Sequence, residues 1–153
     1  MTPAIVLLEK QKIAHNIHQY HHDENAPSYG LEAAEKMAVE PERIFKTLVI
    51  EYDTKLAVTI IPVTEQLSLK LAAKALKVKK THMAPAQKVE KSTGYVLGGV
   101  SPLGQKKRLA TVIDNSAAAF QTIFISGGKR GLEIEIAATD LTKLCNAHYA
   151  QLV

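Results

Sequence analysis

The sequence predicts a single domain of the α+β class (mixed α/β). The chain has 153 residues, of which 46% are hydrophobic and 22% charged, and this suffices for one domain with a buried core. Segments that alternate apolar and polar residues, as strands do, occur along the whole chain, and short segments with a helical apolar stripe lie between them. Interspersed signals of this kind indicate a domain that contains both helices and strands, and we expect one domain over residues 1–153.

Cysteine and charge content narrow the class of protein. Cys145 is the single cysteine, which excludes an intramolecular disulfide and a cysteine-rich zinc site, and its apolar neighbours favour a buried thiol. The net charge of +4 permits a polyanionic partner without requiring one. No stretch approaches the about 20 apolar residues of a membrane span, so we expect no membrane partner and a reducing, cytoplasmic location.

The first third of the chain is predicted to alternate helix and strand. Thr2 and Pro3 are suited to cap and start a helix that ends near Lys12, and residues 13–20 alternate as a strand that ends at Tyr20. His21-His22-Asp23 suggests a metal cluster, but adjacent extended residues point to opposite sides, which favours a solvated loop. After the loop, short helices are predicted over residues 32–37 and 41–45.

A β-hairpin is predicted next. Residues 46–52 and 55–62 have strand patterns and flank the turn Asp53-Thr54. Strand parity puts Lys46 on the face of Leu48 and Ile50. This lysine either lies at a strand end and extends into water, or lines a pocket as an ammonium for an oxygen-rich ligand. Parity alone leaves both interpretations open.

The remaining elements continue the alternation. Helices are expected over residues 69–76 with Ser68 as cap, over 85–91, and from a Thr139 cap to about Cys145. Strands are expected over residues 111–114, 122–126, 132–136 and 149–153, with a short helix or turn over 115–120.

Two glycine-rich segments are the most distinctive features of the sequence. In STGYVLGGVSPLGQKKR (residues 92–108), a buried strand Tyr95–Leu97 is predicted to run into Gly98 and Gly99, and Pro102 stiffens the residues after them. SGGKRG (residues 126–131) is predicted to cap a hairpin. Main-chain N–H groups in such loops can bind a carbonyl or phosphate oxygen, although ordinary turns produce the same pattern.

Three basic clusters flank these loops, at Lys77–Lys80, Lys106–Arg108 and Lys129–Arg130. They would suit a nucleic-acid backbone, although solvated faces give the same pattern. Ser101 precedes a proline, whereas a nucleophile elbow uses the amide of the residue after its serine. Neither a P-loop nor a GxGxxG motif occurs, so we expect no nucleotide cofactor and no metal.

Four segments together resemble the YbaK family of bacterial aminoacyl-tRNA deacylases. They are MTPAIVLLEKQKI at the start, FKTL at 45–48, KSTGYVLGGVSPLGQKKR at 91–108 and SGGKRGLEIEIA at 126–137. The resemblance covers nearly the whole chain. It implies a strongly curved mixed β-sheet that approaches a barrel with surrounding helices, similar to the editing insertion of bacterial prolyl-tRNA synthetases. It also implies removal of cysteine from mischarged Cys-tRNA(Pro), with Cys-tRNA(Cys) as a second candidate substrate.

The resemblance also implies which residues form the site. The family's pocket lysine, strand tyrosine, GxxxP loop and second-loop serine fall on Lys46, Tyr20, Gly98–Pro102 and Ser126. The expected catalytic residues are Lys46, Gly98, Gly99, Val100 and Ser101. The expected substrate-binding residues are Tyr20, Tyr29, Thr47, Pro102, Ser126, Gly127, Gly128 and Glu133. Tyr29 stands where phenylalanine is expected, and Glu133 where aspartate is usual.

The mechanism implied by the resemblance needs no enzyme nucleophile. The substrate's own thiol attacks its ester carbonyl and expels the tRNA 3′ end as a thiolactone forms, so the enzyme counts as a hydrolase or a lyase depending on that product. Amides around Gly98–Ser101 would bind the oxyanion, and Lys46 would lie near the terminal phosphate or ribose. The implied partners are the acceptor end of mischarged tRNA and prolyl-tRNA synthetase in a ternary complex. The alternatives are a water-using alanyl-tRNA(Pro) hydrolase and a non-catalytic tRNA-binding module.

Overall fold

Five helices and eight strands alternate along the chain in the computed structural model, which describes residues 1–153. The helices are α1 (Pro3–Lys10), α2 (Tyr29–Met37), α3 (Leu69–Leu76), α4 (Ala86–Thr93) and α5 (Ala138–Leu144). The strands are β1 (His15–Gln19), β2 (Phe45–Tyr52), β3 (Lys55–Pro62), β4 (His82–Met83), β5 (Ala110–Asp114), β6 (Thr122–Lys129), β7 (Leu132–Ala137) and β8 (His148–Ala150). The predicted α+β class is confirmed. No helix is long and apolar enough to cross a membrane.

The strands form two sheets, neither of which is closed. The smaller sheet is antiparallel with the order β1-β7-β6, and the larger has the order β4-β2-β3-β5-β8. In the larger sheet β2 pairs antiparallel with β3 and β4, whereas β3-β5 and β5-β8 are parallel. A single parallel bridge from Ile44 to Phe124 joins the two sheets just before β2 begins. The start of β2 therefore lies beside β6, although β3, β4 and β5 lie between them in sequence order.

Local sequence explains why the elements next to the site begin where they do. Thr2 caps α1 through its side chain, and Ser28 and Ser68 do the same for α2 and α3. The β2–β3 hairpin turns through Asp53 and Thr54, whose φ values of 46° and 63° are those of a two-residue hairpin turn. This turn fixes the register that pairs Lys46 with Ile61.

The main core lies between the two sheets and the helices that cover them. Its largest fully buried side chains include Phe45, Ile60, Leu103, Ile113 and Ile123. Cys145 belongs to the same cluster and is 9% exposed, which confirms the predicted buried thiol.

Four local predictions are wrong. Tyr95–Leu97 is not a strand: Gly94 ends α4 at φ 83°, and the chain continues as an irregular loop in which Tyr95 is buried but Val96 and Leu97 are exposed. Residues 41–45 do not form a helix, because only Pro41–Arg43 make a 3₁₀ turn and Phe45 already pairs with Pro62. The last helix begins directly after β7, so Thr139 lies inside α5 and is not its cap.

The fourth error concerns the second glycine segment. Ser126–Lys129 is not a loop but the end of β6, and its pairing with β7 contains an irregularity between Ser126 and Lys129. Glycines allow such a bulge, which bends a strand and increases its twist. Only Arg130 and Gly131 form the turn.

Candidate functional site

A pocket of about 270 Å³ lies between the start of β2 and the β6–β7 hairpin. The end of β1, the start of α2 and the loop before Val100 complete its wall. The lining residues that the sequence predicted are Tyr20, Tyr29, Lys46, Thr47, Gly98, Val100, Ser126 and Glu133. Parts of the chain that are far apart in sequence therefore meet at one cavity.

Five of the predicted residues do not line the pocket, namely Gly99, Ser101, Pro102, Gly127 and Gly128. They lie in the same two segments, directly behind the lining residues. Ser101 is fully buried, and its hydroxyl accepts a hydrogen bond from the Leu103 amide at 3.2 Å. This serine therefore holds the loop in shape.

The prediction also missed part of the lining. Lys129, Arg130 and Leu97 belong to it. The two cations stand out in the sequence only as one of three basic clusters, and nothing in the pattern separates that cluster from the others. The remaining unpredicted members are Ser28, Gly30, Ile44, Phe45, Leu48, Val63, Gly131 and Leu132, whose apolar members are indistinguishable in sequence from core residues.

The two glycine segments pack against each other backbone to backbone. A Cβ atom on Gly99 would lie 2.8 Å from the Cα of Lys129, a separation that packed atoms do not tolerate. On Gly98, which has φ +90°, it would lie 2.5 Å from an Nη atom of Arg130. Glycines at these two positions thus let the first loop rest on the β6–β7 hairpin.

Some backbone amides of the first glycine loop have an acceptor within the protein, and others do not. The Gly99 amide donates to the Val96 carbonyl at 2.9 Å, and the Leu97 amide donates to the Glu90 carboxylate at 3.1 Å. The amides of Gly98 and Val100 have no acceptor within the protein, and both residues line the pocket. They are two main-chain donors of this loop that remain for a ligand oxygen.

Lys46 and Thr47 bring unpartnered polar groups to the pocket. Lys46 is partly buried and makes neither a hydrogen bond nor an ion pair within the protein. The hydroxyl of Thr47 is buried and also has no partner. A buried polar group without a hydrogen bond destabilises a fold by about 1–3 kcal/mol, and a bound ligand would supply the missing contact.

A carboxyl group lies opposite these groups. Glu133 of β7 lies between His18 of β1 and Ser126 of β6 in the sheet register. Burial raises the pKa of Glu133 to about 8, and no cation pairs with it. Burial, together with the carboxylates of Glu133 and Glu32, raises the pKa of Tyr20 to about 12. At neutral pH this wall of the pocket is thus predominantly uncharged.

The segment between β1 and α2, predicted to be a solvated loop, makes hydrogen bonds to a buried carboxylate of α2. His21 is exposed as expected for a solvated loop, but His22 is partly buried, with its Nδ1 2.7 Å from a carboxylate oxygen of Glu32. The amide of Asp23 and Lys36 Nζ donate to the other oxygen at 2.6 and 3.0 Å. Burial opposes ionisation of Glu32, but these bonds outweigh it and lower its pKa to about 2.

The cluster formed by His22, Glu32 and Lys36 supports the pocket wall. The ring of His22 packs edge-on against Tyr29 at a centroid distance of 5.4 Å, and Lys36 Nζ lies 5.7 Å from the centroid of Tyr20. Nowhere in the chain do three histidine, cysteine, aspartate or glutamate side chains gather closely enough to hold a metal ion. His22 and its partners therefore position aromatic residues of the site.

Comparisons with known proteins identify the family. Residues 23–144 match the family model described as "Aminoacyl-tRNA editing domain". The chain is 36% identical over 152 residues to the Enterococcus faecalis protein described as "Putative Cys-tRNA(Pro)/Cys-tRNA(Cys) deacylase EbsC", covering 99% of this chain and 92% of the relative. It is also 27% identical over 113 residues to Bacillus subtilis YwhH, an uncharacterized protein, covering 73% and 71% of the two chains.

A solved structure has the same fold. The crystal structure of "a putative trans-editing enzyme for prolyl tRNA synthetase" superposes with a TM-score of 0.87, covering 99% of this chain and 97% of the other at 20% sequence identity. At that identity the likeness establishes the arrangement of helices and strands.

Proposed function

The chain belongs to the aminoacyl-tRNA editing domain family, and from that premise we propose that it is a trans-editing deacylase that removes cysteine from mischarged Cys-tRNA(Pro). Cys-tRNA(Cys) is a second candidate substrate, since the Enterococcus relative is described with both. The substrate's acceptor end would enter the pocket beside Lys46.

The observation that supports this proposal best is the set of unpartnered polar groups in one small pocket. The ammonium of Lys46, the hydroxyl of Thr47 and the amides of Gly98 and Val100 are free of protein partners. All are donors of the kind that bind ester, ribose and phosphate oxygens. A volume of about 270 Å³ suits a small aminoacyl group with its ribose and excludes a nucleic-acid strand.

We infer that the substrate supplies the nucleophile. Its thiol loses a proton to solvent, and the sulfur attacks the carbonyl carbon of the same cysteinyl ester. The bond between that carbon and the ribose oxygen then breaks, and the oxygen takes up a proton while a thiolactone leaves. The protein's part is to hold sulfur and carbonyl in attack geometry and to bind the developing oxyanion through the Gly98 and Val100 amides.

Lys46 would place the sugar for this step. An ammonium on a partly buried strand end is a compact donor for ribose and ester oxygens. Tyr20, Tyr29, Ser126 and Glu133 would shape the remaining wall.

The experiment that tests the function compares deacylation of cysteinyl-, alanyl- and prolyl-tRNA(Pro) by the purified protein. We expect rapid loss of cysteine and much slower loss of the other two amino acids. Preferential turnover of alanyl-tRNA(Pro) would support a hydrolase that uses water. Retention of tRNA without deacylation of any species would support a binding module instead.

We also propose that prolyl-tRNA synthetase is a partner, in a ternary complex with tRNA. A domain of 153 residues that holds the acceptor end is too small to reach an anticodon, so selection by the anticodon would require another protein. Adding the synthetase should then raise the preference for Cys-tRNA(Pro) over Cys-tRNA(Cys). An unchanged preference would speak against the partnership.

A further inference from the structure

One cation of the pocket rim has an unusual environment. Arg130 occupies the turn between β6 and β7, and its guanidinium carbon lies 4.1 Å from the ring centroid of Tyr29 at the start of α2. The Nε–Nη2 edge of the guanidinium approaches Gly98 so closely that a Cβ atom there would lie 2.5 Å from Nη2 and 2.6 Å from Nε. The side chain therefore extends across one edge of the pocket, from α2 to the first glycine loop.

The turn that carries Arg130 is itself fixed. Gly131 has φ +85°, and its carbonyl accepts a hydrogen bond from the Tyr20 amide at 2.9 Å. A Cβ atom on Gly131 would lie 2.6 Å from the Tyr20 carbonyl, so the turn packs tightly on the end of β1. The position of the Arg130 backbone relative to the pocket is therefore set by main-chain contacts.

A second stacked arginine in the chain provides a comparison. Arg43 lies 4.9 Å from the ring of Phe124, and its N–H groups donate to the carbonyl and hydroxyl of Thr122 and to Glu135. Arg130 is held against an aromatic ring in the same way but donates no hydrogen bond and has no carboxylate partner. Arg43 is a structural contact, whereas Arg130 has no acceptor within the protein, and its Nη1–Nη2 edge is the one that does not face Gly98.

We propose that Arg130 binds the phosphodiester group on the 5′ side of the substrate's terminal nucleoside, with Tyr29 as the platform that holds the guanidinium. This inference rests on the proposed function. The planar fork of an arginine matches two phosphate oxygens at once, and stacking on an aromatic ring orients it before the ligand arrives. The assignment separates two roles: exposed Arg130 binds the phosphate, and partly buried Lys46 is left for the ribose and ester.

The test removes the phosphate from the ligand and the arginine from the protein. One substrate is the 3′-cysteinyl ester of adenosine, and the other is the 3′-cysteinyl ester of adenosine 5′-(methyl phosphate), which adds a single phosphodiester and no second base. The wild-type protein should prefer the phosphodiester substrate about 10- to 100-fold in kcat/KM, as expected for charge-assisted hydrogen bonds.

Variants at position 130 should change the ratio of kcat/KM for the phosphodiester ester to kcat/KM for the phosphate-free ester. In Arg130→Ala this ratio should fall to within about twofold of unity. Arg130→Lys should keep part of the preference, because it retains the charge without the fork. Arg108→Ala is the matched control, since Arg108 is exposed and does not line this pocket, and it should keep the full preference.

Variants of Tyr29 test the platform. Tyr29→Phe keeps the ring and should keep the preference for the phosphodiester, whereas Tyr29→Leu should lower it severalfold, because a cation–π contact needs the aromatic face. Equal preferences in Tyr29→Leu and Tyr29→Phe would remove Tyr29 from the proposal.

The outcomes separate this inference from the proposed function. A wild-type-like preference in Arg130→Ala, or an equal loss on both esters, would overturn the phosphate role while leaving the deacylase intact. If the wild type cleaves cysteinyl-tRNA(Pro) but neither small ester, or cleaves none of the three, titration with adenosine 5′-(methyl phosphate) still tests the site: tenfold weaker binding by Arg130→Ala supports it, and equal binding by both proteins refutes it. Only failure on cysteinyl-tRNA(Pro) counts against the proposed function.

Discussion

At the scale of single residues, the presence or absence of hydrogen-bond partners distinguishes polar side chains that maintain the fold from those that are candidates for ligand binding. Glu32 is almost completely buried and receives hydrogen bonds from His22, Asp23 and Lys36. Lys46 and Thr47 have none within the protein. Strand parity alone allowed two interpretations of Lys46, because it fixes the face but not what lies across from it. The β6–β7 hairpin lies there and makes that face a pocket.

Replacing Lys46 by alanine should abolish most activity and leave the fold intact. We expect kcat/KM for cysteinyl-tRNA to fall about 10²-fold or more, as for removal of one preorganised transition-state donor. Stability should change by no more than about 0.5 kcal/mol, because the ammonium makes no hydrogen bond or ion pair within the protein. The checks are single-turnover deacylation and urea unfolding.

The control for this variant is Lys55→Ala, at the exposed far end of the same hairpin. It removes the same charge from the same element and should leave both readouts unchanged. An unfolded Lys46→Ala protein, or a fully active one, would contradict the role assigned to the lysine.

The raised pKa of Glu133 predicts a stability profile that depends on pH. Its pKa is about 8 in the folded protein against an ordinary value of 4.5, so between these values the folded state binds more protons than the unfolded state. The contribution of Glu133 to stability is therefore fully present below about pH 4.5 and is lost as the pH rises through about 8.

Glu133→Gln removes the titration and keeps the shape of the side chain. The difference in unfolding free energy between variant and wild type, measured by urea denaturation from about pH 5 to about pH 9, should grow in favour of the variant as the pH rises. A constant difference across this range would show that Glu133 titrates normally.

At the scale of elements, those that depend on local interactions were predicted correctly, whereas those that depend on contacts distant in sequence were not. The β2–β3 hairpin was predicted within one residue because its pattern and its turn are local. The strand expected at Tyr95–Leu97 failed because Gly94 and Gly98 both take positive φ and Tyr95 is buried from a loop. The composition of Ser126–Lys129 is typical of a turn, yet β7 extends it as a bulged strand.

The contact between the two glycine segments should be sensitive to a single methyl group. Gly99→Ala places a Cβ atom 2.8 Å from the Cα of Lys129, and because that neighbour is backbone, the loop must move. We expect a loss of about 1–3 kcal/mol, typical of overpacking, with a fall in deacylase activity from misplaced amides. Thermal unfolding and the cysteinyl-tRNA assay measure the two effects.

Val96→Ala is the matched control in the same loop, since Val96 is 71% exposed and does not line the pocket. It should change stability by no more than about 0.5 kcal/mol. If Gly99→Ala behaved like Val96→Ala, the close approach of the two segments would not matter for the site.

At the scale of the whole molecule, the pocket depends on pairings that no local pattern contains. β1 pairs with β7, and β3 runs parallel to β5 across an intervening helix pair. Periodicity predicted most of these elements but not their neighbours in space. The family resemblance implied one curved mixed sheet approaching a barrel, whereas the strands form two open sheets, of which only the larger is mixed. It also implied that Lys46 meets the glycine segments. The contact of Arg130 with Tyr29 and Gly98 was not among its implications.

At the same scale, the single thiol and the serines of the two glycine segments are not arranged as activated nucleophiles. Burial raises the pKa of the Cys145 thiol to about 12, against the influence of Arg108, and the thiol donates to the Pro102 carbonyl at 3.6 Å. Ser101 is fully buried, and Ser126 lines the pocket but its hydroxyl accepts a hydrogen bond from the Gly128 amide. Neither the thiol nor either serine is paired with a histidine or carboxylate base, which agrees with the proposal that the substrate supplies the attacking atom.

Seryl-tRNA distinguishes attack by the substrate from attack by water, because serine differs from cysteine by one atom. A thiol of pKa about 8.5 is a few per cent ionised at neutral pH, whereas a hydroxyl is hardly ionised at all. If the substrate sulfur attacks, seryl-tRNA should be cleaved at least about 10³-fold more slowly. That exceeds the about 1–3 kcal/mol by which a pocket distinguishes near-isosteres. Comparable rates, with free cysteine and no thiolactone at the earliest times by mass spectrometry, would show that water attacks.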